Sequence, residues 1–410
     1  MGHPYVKASA VTGRACPDVI VIGAGIVGAA CARELAREGL DVLVMDRAGI
    51  GGGVTAAGMG HVVVMDDTPA EFALSSWSRQ LWLDLAPHLG PRQDFVRCGT
   101  LWVAADDEEF DLARERRDSL VREGIACDML DAQQLREAEP ELRDGFRGGM
   151  IVPDDAVVYA PASAAWLLAD ASAVAPGAGR VTCRLGASVR RLTREGVMLD
   201  NGESIAAGAV LIANGLQAID LMPELPMQAK KGHLLITDRY PGTIRHQILE
   251  LGYIKSAHNA SGTSVAFNVQ PRPTGQLLIG SSRQFDNVDP AIEPDIMARM
   301  LRRASEYLPR LTQLNAIRAW TGFRPATVDG LPLIGPAAHF ARDEAAHVPA
   351  WLATGHEGLG VTTALATAKL IAAQITGASS RLPIDPTPYL PSRCNASGVV
   401  DAVNTGAADV

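Results

Sequence analysis

The first part of the chain places two short apolar runs around one long helical pattern. The first run covers Val19–Ile22 and is followed by a segment whose apolar positions, Leu35 among them, recur at helical spacing. The second run covers 42–45 and ends in Asp46. Continuous apolar runs of this length are typical of strands buried on both faces of a parallel sheet. The pattern therefore predicts a strand–helix–strand unit.

Helical and strand patterns continue downstream. Residues 70–89 predict an amphipathic helix whose apolar face carries Phe72, Leu74, Trp77, Leu81 and Leu85. The other predicted helices are 106–123, 160–170, 294–308 and an Ala-rich one that ends at 375, and the predicted strands include 100–104, 187–192, 196–199, 204–205 and 210–212. Between 232 and 280, apolar runs alternate with turn residues, which predicts an antiparallel sheet.

Three glycines stand at the junction of the first strand and its helix. Gly23, Gly25 and Gly28 have the spacing G-x-G-x-x-G. The first permits a tight turn, the second lets the backbone approach a pyrophosphate, and the third lets the helix pack close to the strand. Asp46, at the end of the next strand, can accept hydrogen bonds from ribose hydroxyls. The unit predicts a dinucleotide site at a helix N-terminus, although a glycine-rich turn that binds nothing remains the alternative.

These patterns predict two interleaved domains. Segments 18–95, 150–225 and 325–380 are assigned to a discontinuous nucleotide-binding domain, and 96–149 with 226–324 to a substrate domain. Residues 381–410, rich in Pro, Ser, Asn and Ala, are assigned to a C-terminal extension or tail. The predicted fold class is α/β: a Rossmann-like nucleotide-binding domain with a discontinuous antiparallel-sheet (α+β) substrate domain.

Three further segments favour FAD over NAD as the dinucleotide. The loop at 49–60 is rich in glycine and small residues, and 210–215 is a strand that ends in a small-residue turn. Residues 355–371 form a glycine turn that opens a helix, whose N-terminus can stabilise negative charge on a reduced flavin. Each segment alone can be a plain turn. An NAD-dependent dehydrogenase is disfavoured because no second full fingerprint follows a strand.

Composition and charge exclude several other classes. The 410 residues carry a formal net charge of −9, which argues against nucleic acid or an anionic membrane as the main partner. The six cysteines include no C-x-x-C pair and no zinc-like spacing, so we expect a reduced, cytoplasmic protein without a metal site. No signal peptide or membrane span is predicted. A peripheral position at the inner membrane face is left open.

The chain resembles the D-amino-acid oxidase-like FAD oxidoreductases, which include glycine and sarcosine oxidases and D-amino-acid dehydrogenases. The resemblance runs from PDVIVIGAGIVGAA to GHEGLGVTTALATAKLIAAQITG, and WTGFRPATVDGLPLIG (320–335) resembles another family segment. KKGHLLITD and FNVQPRPTGQLLIGSS look most like the subunit type of D-hydroxyproline, opine and cyanide-forming glycine dehydrogenases. FAD is the implied cofactor. Since 318–335 contains no cysteine of the kind that tethers flavin in some sarcosine oxidases, non-covalent binding is expected.

The resemblance assigns the substrate carboxylate to Arg324, whose guanidinium can form two parallel charge-assisted hydrogen bonds. His61, Tyr253 and Asn268 are the other candidate catalytic residues, each with an ordinary structural role as its alternative. Glycine-oxidase-like members have an arginine where this chain has Gly358, so a second carboxylate contact from that loop is in doubt. The predicted FAD-binding residues are Gly23, Gly25, Ile26, Val27, Gly28, Asp46, Arg47, Thr55, Ala57, Gly58, Met59, Val189, Ala213, Gly215, Gly355, Glu357, Gly358, Leu359, Gly360 and Val361.

These residues predict oxidation of the C–N bond of a D-amino or cyclic imino acid, similar to D-hydroxyproline or D-proline, by hydride transfer to flavin. One alternative is a sarcosine-, glycine- or opine-oxidase-type subunit of a multi-subunit dehydrogenase. Another is a flavoprotein subunit without catalytic activity. The electron acceptor, which is oxygen, a quinone or a partner subunit, is left open by the sequence.

Overall fold

The computed structural model describes residues 16–65, 67–172, 178–252, 263–285, 287–340 and 348–394. Its helices are α1 (Ile26–Arg37), α2 (Val54–Ala57), α3 (Pro69–Leu85), α4 (Asp107–Arg122), α5 (Ala132–Ala138), α6 (Ala160–Ser172), α7 (Ala218–Leu221), α8 (Pro294–Tyr307) and α9 (Gly360–Thr376).

The strands of the described residues fall into two larger sheets and two small ones. They are β1 (Val19–Ile22), β2 (Val42–Asp46), β3 (His61–Val62), β4 (Thr100–Ala104), β5 (Asp128–Asp131), β6 (Gly148–Val152), β7 (Ala156–Val157), β8 (Val181–Leu185), β9 (Val189–Thr193), β10 (Gly196–Leu199), β11 (Ser204–Ala206), β12 (Ala209–Ile212), β13 (Met227–Thr237), β14 (Gln247–Glu250), β15 (Ser264–Pro271), β16 (Leu277–Arg283), β17 (Ala316–Thr327), β18 (Leu333–Pro336) and β19 (Ala350–Thr354).

The first large sheet has the strand order β18-β19-β12-β1-β2-β8 and is parallel except at β18. Alternate residues of β1 enter different cores. Val19 and Val21 pack with α1, α6 and α9 on one face, whereas Ile20 and Ile22 pack in the core of the opposite face. Both faces are therefore covered, which explains the unbroken apolar run in the sequence. The Rossmann-like part of the predicted fold class is confirmed.

The second large sheet has the order β17-β13-β16-β15-β14-β4-β6-β5. One face packs on α8 through Met300, Ala304 and Tyr307. On the other face, β13 and β16 pack against Met59, and β4 and β6 pack against α4. Its pairs are antiparallel, as predicted, except that β14 runs parallel to β4. The long pairing of β13 with β17 sets Lys230 opposite Arg324.

The described part of the C-terminal extension packs against the protein. Tyr389 is buried and its hydroxyl donates to Ala70 O (2.6 Å), while Arg393 Nε donates to Asp329 Oδ2 (2.7 Å). The rest of the predicted extension, 395–410, lies outside the described residues. Among the described helices, none is both long and apolar enough to cross a bilayer.

Candidate active site

A cavity of about 640 Å³ lies between the first large sheet (the parallel sheet) and the second large sheet (the mixed sheet). The glycine fingerprint and the α9 N-terminus contribute to its walls, as does the inner face of the mixed sheet. Its size falls in the range of cofactor and ligand sites, which often lie at the interface between two structural units, as this cavity does between two sheets.

The fingerprint glycines bring backbone against backbone at one end of the cavity. Gly23 has φ +110°, and a Cβ there would lie 2.6 Å from Ala213 O. A Cβ on Gly28 would lie 2.0 Å from Gly23 O, so this glycine allows α1 to pack against the β1 turn. Only glycine fits at both positions.

The N-terminus of α1 opens toward the cavity without a side-chain cap at its N-cap residue, Gly25. Ile26 N donates to Thr55 Oγ1 (3.1 Å), which leaves the hydroxyl proton of Thr55 available to a ligand. Asp46 is fixed at the same edge, since its two carboxylate oxygens accept from Ala24 N (2.9 Å) and Ala48 N (2.8 Å). Helix N-termini of this kind bind phosphates.

The segment 54–61 (the middle loop) lies across the centre of the cavity and is held by the mixed sheet. Trp320 Nε1 donates to Ala57 O (3.1 Å), and Arg272 Nη2 donates to Met59 O (3.1 Å). A Cβ on Gly322 would lie 2.6 Å from Ala57 Cβ, so β17 approaches α2 closely. The glycine-rich loop predicted to contact flavin is therefore fixed in place.

The N-terminus of α9 also lines the cavity and has no side-chain cap at Leu359. Thr362 Oγ1 donates to His61 O (2.9 Å), which joins α9 to the middle loop. Two uncapped helix N-termini thus line one cavity, next to glycines that admit close backbone contact. These residues fit FAD: α1 and Asp46 would hold the ADP part, and α9 would face the flavin ring.

Charged groups concentrate at the side of the cavity formed by the mixed sheet. Arg324 Nη1 donates to Ser282 O (3.2 Å), and a Cβ on Gly232 would lie 2.6 Å from that nitrogen. Lys230 Nζ lies 2.9 Å from Glu357 Oε1. Burial opposes ionisation of Glu357, but Arg324, Lys230 and Arg283 outweigh it and lower the pKa of its carboxyl to about 2.

His61 and Asn268 form a hydrogen-bonded pair in the cavity wall. Asn268 Nδ2 donates to His61 Nε2 (3.2 Å), and His61 Nδ1 donates to Gln247 Oε1 (2.6 Å). Burial lowers the pKa of the His61 imidazole to about 4, against the opposite effect of the Gln247 hydrogen bond. His61 is therefore neutral at physiological pH.

Comparison with known protein families identifies the family of the chain that contains this cavity. The family described as FAD dependent oxidoreductase (DAO) matches residues 18–374. The chain belongs to this family. It is an FAD-dependent oxidoreductase of the kind that oxidises amines and amino acids, which confirms the resemblance, the enzyme class and the cofactor predicted from the sequence.

Individual relatives cover nearly the whole of this oxidoreductase. Glycine oxidase of Pseudomonas putida is 28% identical over 386 residues, which are 91% of this chain and 98% of the relative. An opine oxidase subunit of Rhizobium meliloti is 26% identical over 395 residues, 92% of this chain and 98% of the relative. The crystal structure of glycine oxidase from Geobacillus kaustophilus superposes with a TM-score of 0.77 at 25% identity, covering 91% of this chain and 98% of that one.

The structure brings most of the predicted site residues of this oxidoreductase together. Those that line the cavity are Gly23, Gly25, Ile26, Val27, Asp46, Arg47, Thr55, Ala57, Gly58, Met59, His61, Val189, Ala213, Gly215, Asn268, Arg324, Glu357, Gly358, Leu359, Gly360 and Val361. Gly28 and Gly355 are not in the wall: each packs against neighbouring protein atoms, Gly355 with its Cβ direction 2.7 Å from Thr327 Cγ2. Tyr253 lies outside the described residues.

Sequence reasoning missed Arg283, Lys230 and Gln247. Arg283 is in the cavity wall, Lys230 faces Glu357, and Gln247 holds His61. The sequence offered one signal, the pair of cations in the KKG run. The position of Lys230 beside Arg324 depends on the antiparallel pairing of β13 with β17, which are separated by three other strands in the chain. In the described part of the chain, no group of three or more His, Cys, Asp or Glu side chains is arranged to hold a metal ion.

Proposed function

We propose that this oxidoreductase dehydrogenates the C–N bond of a small amino or imino acid whose carboxylate binds Arg324. The observation that supports the proposal most directly is the position of the Arg324 guanidinium, which lies above the bare backbone of Gly232 in the cavity wall. A planar fork of N–H donors suits a carboxylate, and one of these donors is already directed to Ser282 O.

FAD, when bound, accepts the hydride of the substrate α-C–H bond. The protein's part is to bind and orient. Arg324 would hold the carboxylate, which fixes the α-carbon relative to the flavin position next to the α9 N-terminus. The substrate amine must be neutral, because its lone pair forms the C=N bond as the hydride leaves.

Charge around the binding position favours the neutral amine. The three cations Arg324, Lys230 and Arg283 outnumber the single carboxylate of Glu357 that they act on, and neutral His61 adds no charge. A substrate ammonium beside these cations loses its proton more easily than in water. No separate strong base is then required.

The substrate proposed is a D-amino or cyclic imino acid such as D-proline or D-hydroxyproline. The second candidate is glycine, sarcosine or an opine, supported by the likeness to glycine oxidase and to the opine oxidase subunit. The likeness to one subunit of a larger enzyme also supports a partner subunit as electron acceptor. Non-covalent FAD is proposed because, among the described residues that line the cavity, none is cysteine.

The experiment is anaerobic mixing of the FAD-loaded protein with a panel of D-hydroxyproline, D-proline, sarcosine, glycine and an opine. We expect the yellow absorbance of the oxidised flavin to bleach with at least one of them. The fastest compound identifies the substrate class. Bleaching by dithionite but by no member of the panel would contradict the proposal. Repeating productive reactions with oxygen and with a dye acceptor then separates oxidase from dehydrogenase activity.

A further inference from the structure

A buried hydrogen-bonded chain runs from the cavity wall to Asp155. Thr100 Oγ1 donates to Asp155 Oδ2 (2.5 Å), and Gln247 Nε2 donates to Thr100 Oγ1 (2.7 Å). Gln247 Oε1 then accepts from His61 Nδ1 (2.6 Å), and His61 Nε2 accepts from Asn268 Nδ2 (3.2 Å). The five side chains come from β3, β4, β14, β15 and the turn before β7.

The ionised carboxylate of Asp155 determines the direction of every bond in this chain. A carboxylate only accepts, so Thr100 must donate to it and must therefore accept from the Gln247 amide nitrogen. The Gln247 oxygen then faces His61, which places the imidazole proton on Nδ1 and leaves Nε2 as an acceptor. Asn268 must turn its NH₂ toward His61. Its Oδ1 is thereby directed away from His61.

Asn268 Oδ1 is the last atom of this hydrogen-bonded chain. Asn268 is 6% exposed and lines the cavity, and its Oδ1 has no hydrogen-bond partner among the described residues. A buried carbonyl oxygen without a partner is unfavourable by about 1–3 kcal/mol. An N–H donor bound in the cavity would satisfy it.

We propose that Asp155, Thr100 and Gln247 are positioning residues, which act through His61 to present Asn268 Oδ1 to the amino nitrogen of the substrate. This inference rests on the proposed function, since it takes a bound amine as the donor. An acceptor at this place takes an amine N–H and leaves the nitrogen lone pair free to form the C=N bond. The opposite amide orientation would present NH₂ and engage the lone pair.

The surroundings of Asp155 make the orientation dependent on pH. Arg79 Nη1 from α3 and Val64 N both donate to Asp155 Oδ1, at 2.9 Å and 3.3 Å. Among the described residues, the thiols of Cys98 and Cys127 also interact electrostatically with this carboxylate. Burial raises the pKa of Asp155 to about 6, against the lowering by Arg79 and Thr100. Below that pH a protonated Asp155 can donate to Thr100, and each bond in the chain can reverse.

The test compares Thr100→Val with Thr100→Ser in the FAD-loaded protein. Valine keeps the shape of threonine but breaks the chain, and serine keeps the hydroxyl. Two ligands are titrated: the fastest amine of the panel and its counterpart without nitrogen, which is cyclopentanecarboxylate for D-proline, butanoate for sarcosine and propanoate for glycine. The readouts are flavin absorbance shifts for binding and the anaerobic reduction rate for the amine.

Thr100→Val should weaken amine binding and slow reduction by about tenfold, with the nitrogen-free acid bound as in wild type. Thr100→Ser should behave like wild type. The wild-type preference for the amine over its counterpart should fall as pH drops below about 6, and Thr100→Val should show no such change. Gln247→Met, whose thioether has no proton to donate to Thr100, provides the same comparison should the valine variant fold poorly.

The inference would be overturned, while the proposed function stands, if Thr100→Val and Gln247→Met lost equal affinity for the amine and for its nitrogen-free counterpart. Wild-type behaviour of both variants would overturn it as well. If no amine reduces the wild-type protein, the proposed function fails, and the inference that depends on it fails with it.

Discussion

The guanidinium of Arg324 occupies the space that a side chain at position 232 would fill. Gly232 lies opposite Gly322 in the pairing of β13 with β17. Neither strand therefore has a side chain at the point where Arg324 and the middle loop approach. At this scale a hydrogen atom in place of a methyl group decides where a charged group sits. Gly232 is required for the position of Arg324 and not for a backbone conformation.

Gly232→Ala should therefore weaken substrate binding by about tenfold or more, because its Cβ would lie 2.6 Å from Arg324 Nη1 and push the guanidinium away. FAD content should stay at the wild-type level. The measurement is the substrate dependence of anaerobic flavin reduction. Gly49→Ala is the control, since a Cβ there meets nothing within 4 Å. Unchanged substrate affinity in Gly232→Ala would show that Arg324 does not need this space.

Glu357 offers a second test at the residue scale. Its carboxyl has a folded-state pKa of about 2, below the ordinary 4.5, so it stabilises the fold above pH 4.5 and loses that contribution as pH falls toward 2. The excess unfolding free energy of wild type over Glu357→Gln should shrink as pH is lowered from about 5 to about 3. Thermal unfolding of both proteins across this range measures it. A difference independent of pH would contradict the charge assignment.

At the scale of elements, two helix N-termini line the same cavity without side-chain caps. α1 begins after Gly25 and α9 after Leu359, and each leaves backbone N–H groups for a ligand. Thr55 on α2 is the link between α1 and the middle loop, through its bond from Ile26 N. The elements are therefore arranged around the cavity and not only around their own packing.

Thr55→Val should weaken FAD binding by about tenfold. It leaves Ile26 N–H without its acceptor and removes a hydroxyl donor from the cavity wall. Titration of the FAD-free protein with FAD, followed by flavin fluorescence, gives the dissociation constant. Thr55→Ser, which keeps the hydroxyl, should bind FAD as wild type does. Equal affinity in all three proteins would remove Thr55 from the FAD site.

At the scale of the whole molecule, the cavity lies between the two large sheets, and hydrogen bonds beside the cavity connect elements of both. Trp320 and Arg272 from the mixed sheet bond the loop at 54–61, and Thr362 from α9 bonds His61 O. A ligand that contacts the loop and both sheets adds to these connections. FAD should accordingly behave as part of the structure.

Removal of FAD should lower the unfolding temperature, and added FAD should restore it. With free FAD at about 1,000 times its dissociation constant, the expected stabilisation is about 4 kcal/mol. NAD, which lacks the flavin ring facing α9, should restore little. Scanning calorimetry of the FAD-free, FAD-loaded and NAD-treated protein measures the difference. Equal stabilisation by NAD would contradict the assignment of the cavity to FAD.

How much the sequence revealed depended on whether a signal was local. The strand–glycine–helix unit at 19–46 and the helix at 107–122 follow from periodicity and glycine spacing within one segment. The parallel pairing of β4 with β14 joins residues about 147 positions apart, and no local pattern encodes it. The chain from Asn268 to Asp155 was missed for the same reason.

The central claim is that Arg324 binds the substrate carboxylate, and it is tested by the anaerobic reduction of Arg324→Met and Arg324→Lys. Each FAD-loaded protein is mixed with the fastest amino acid of the panel and with its methyl ester. The ratio of reduction rate constant to dissociation constant should fall by about 100-fold in Arg324→Met for the acid but change little for the ester, with Arg324→Lys between. Wild-type reduction of Arg324→Met by the acid, or equal loss for acid and ester, would contradict it.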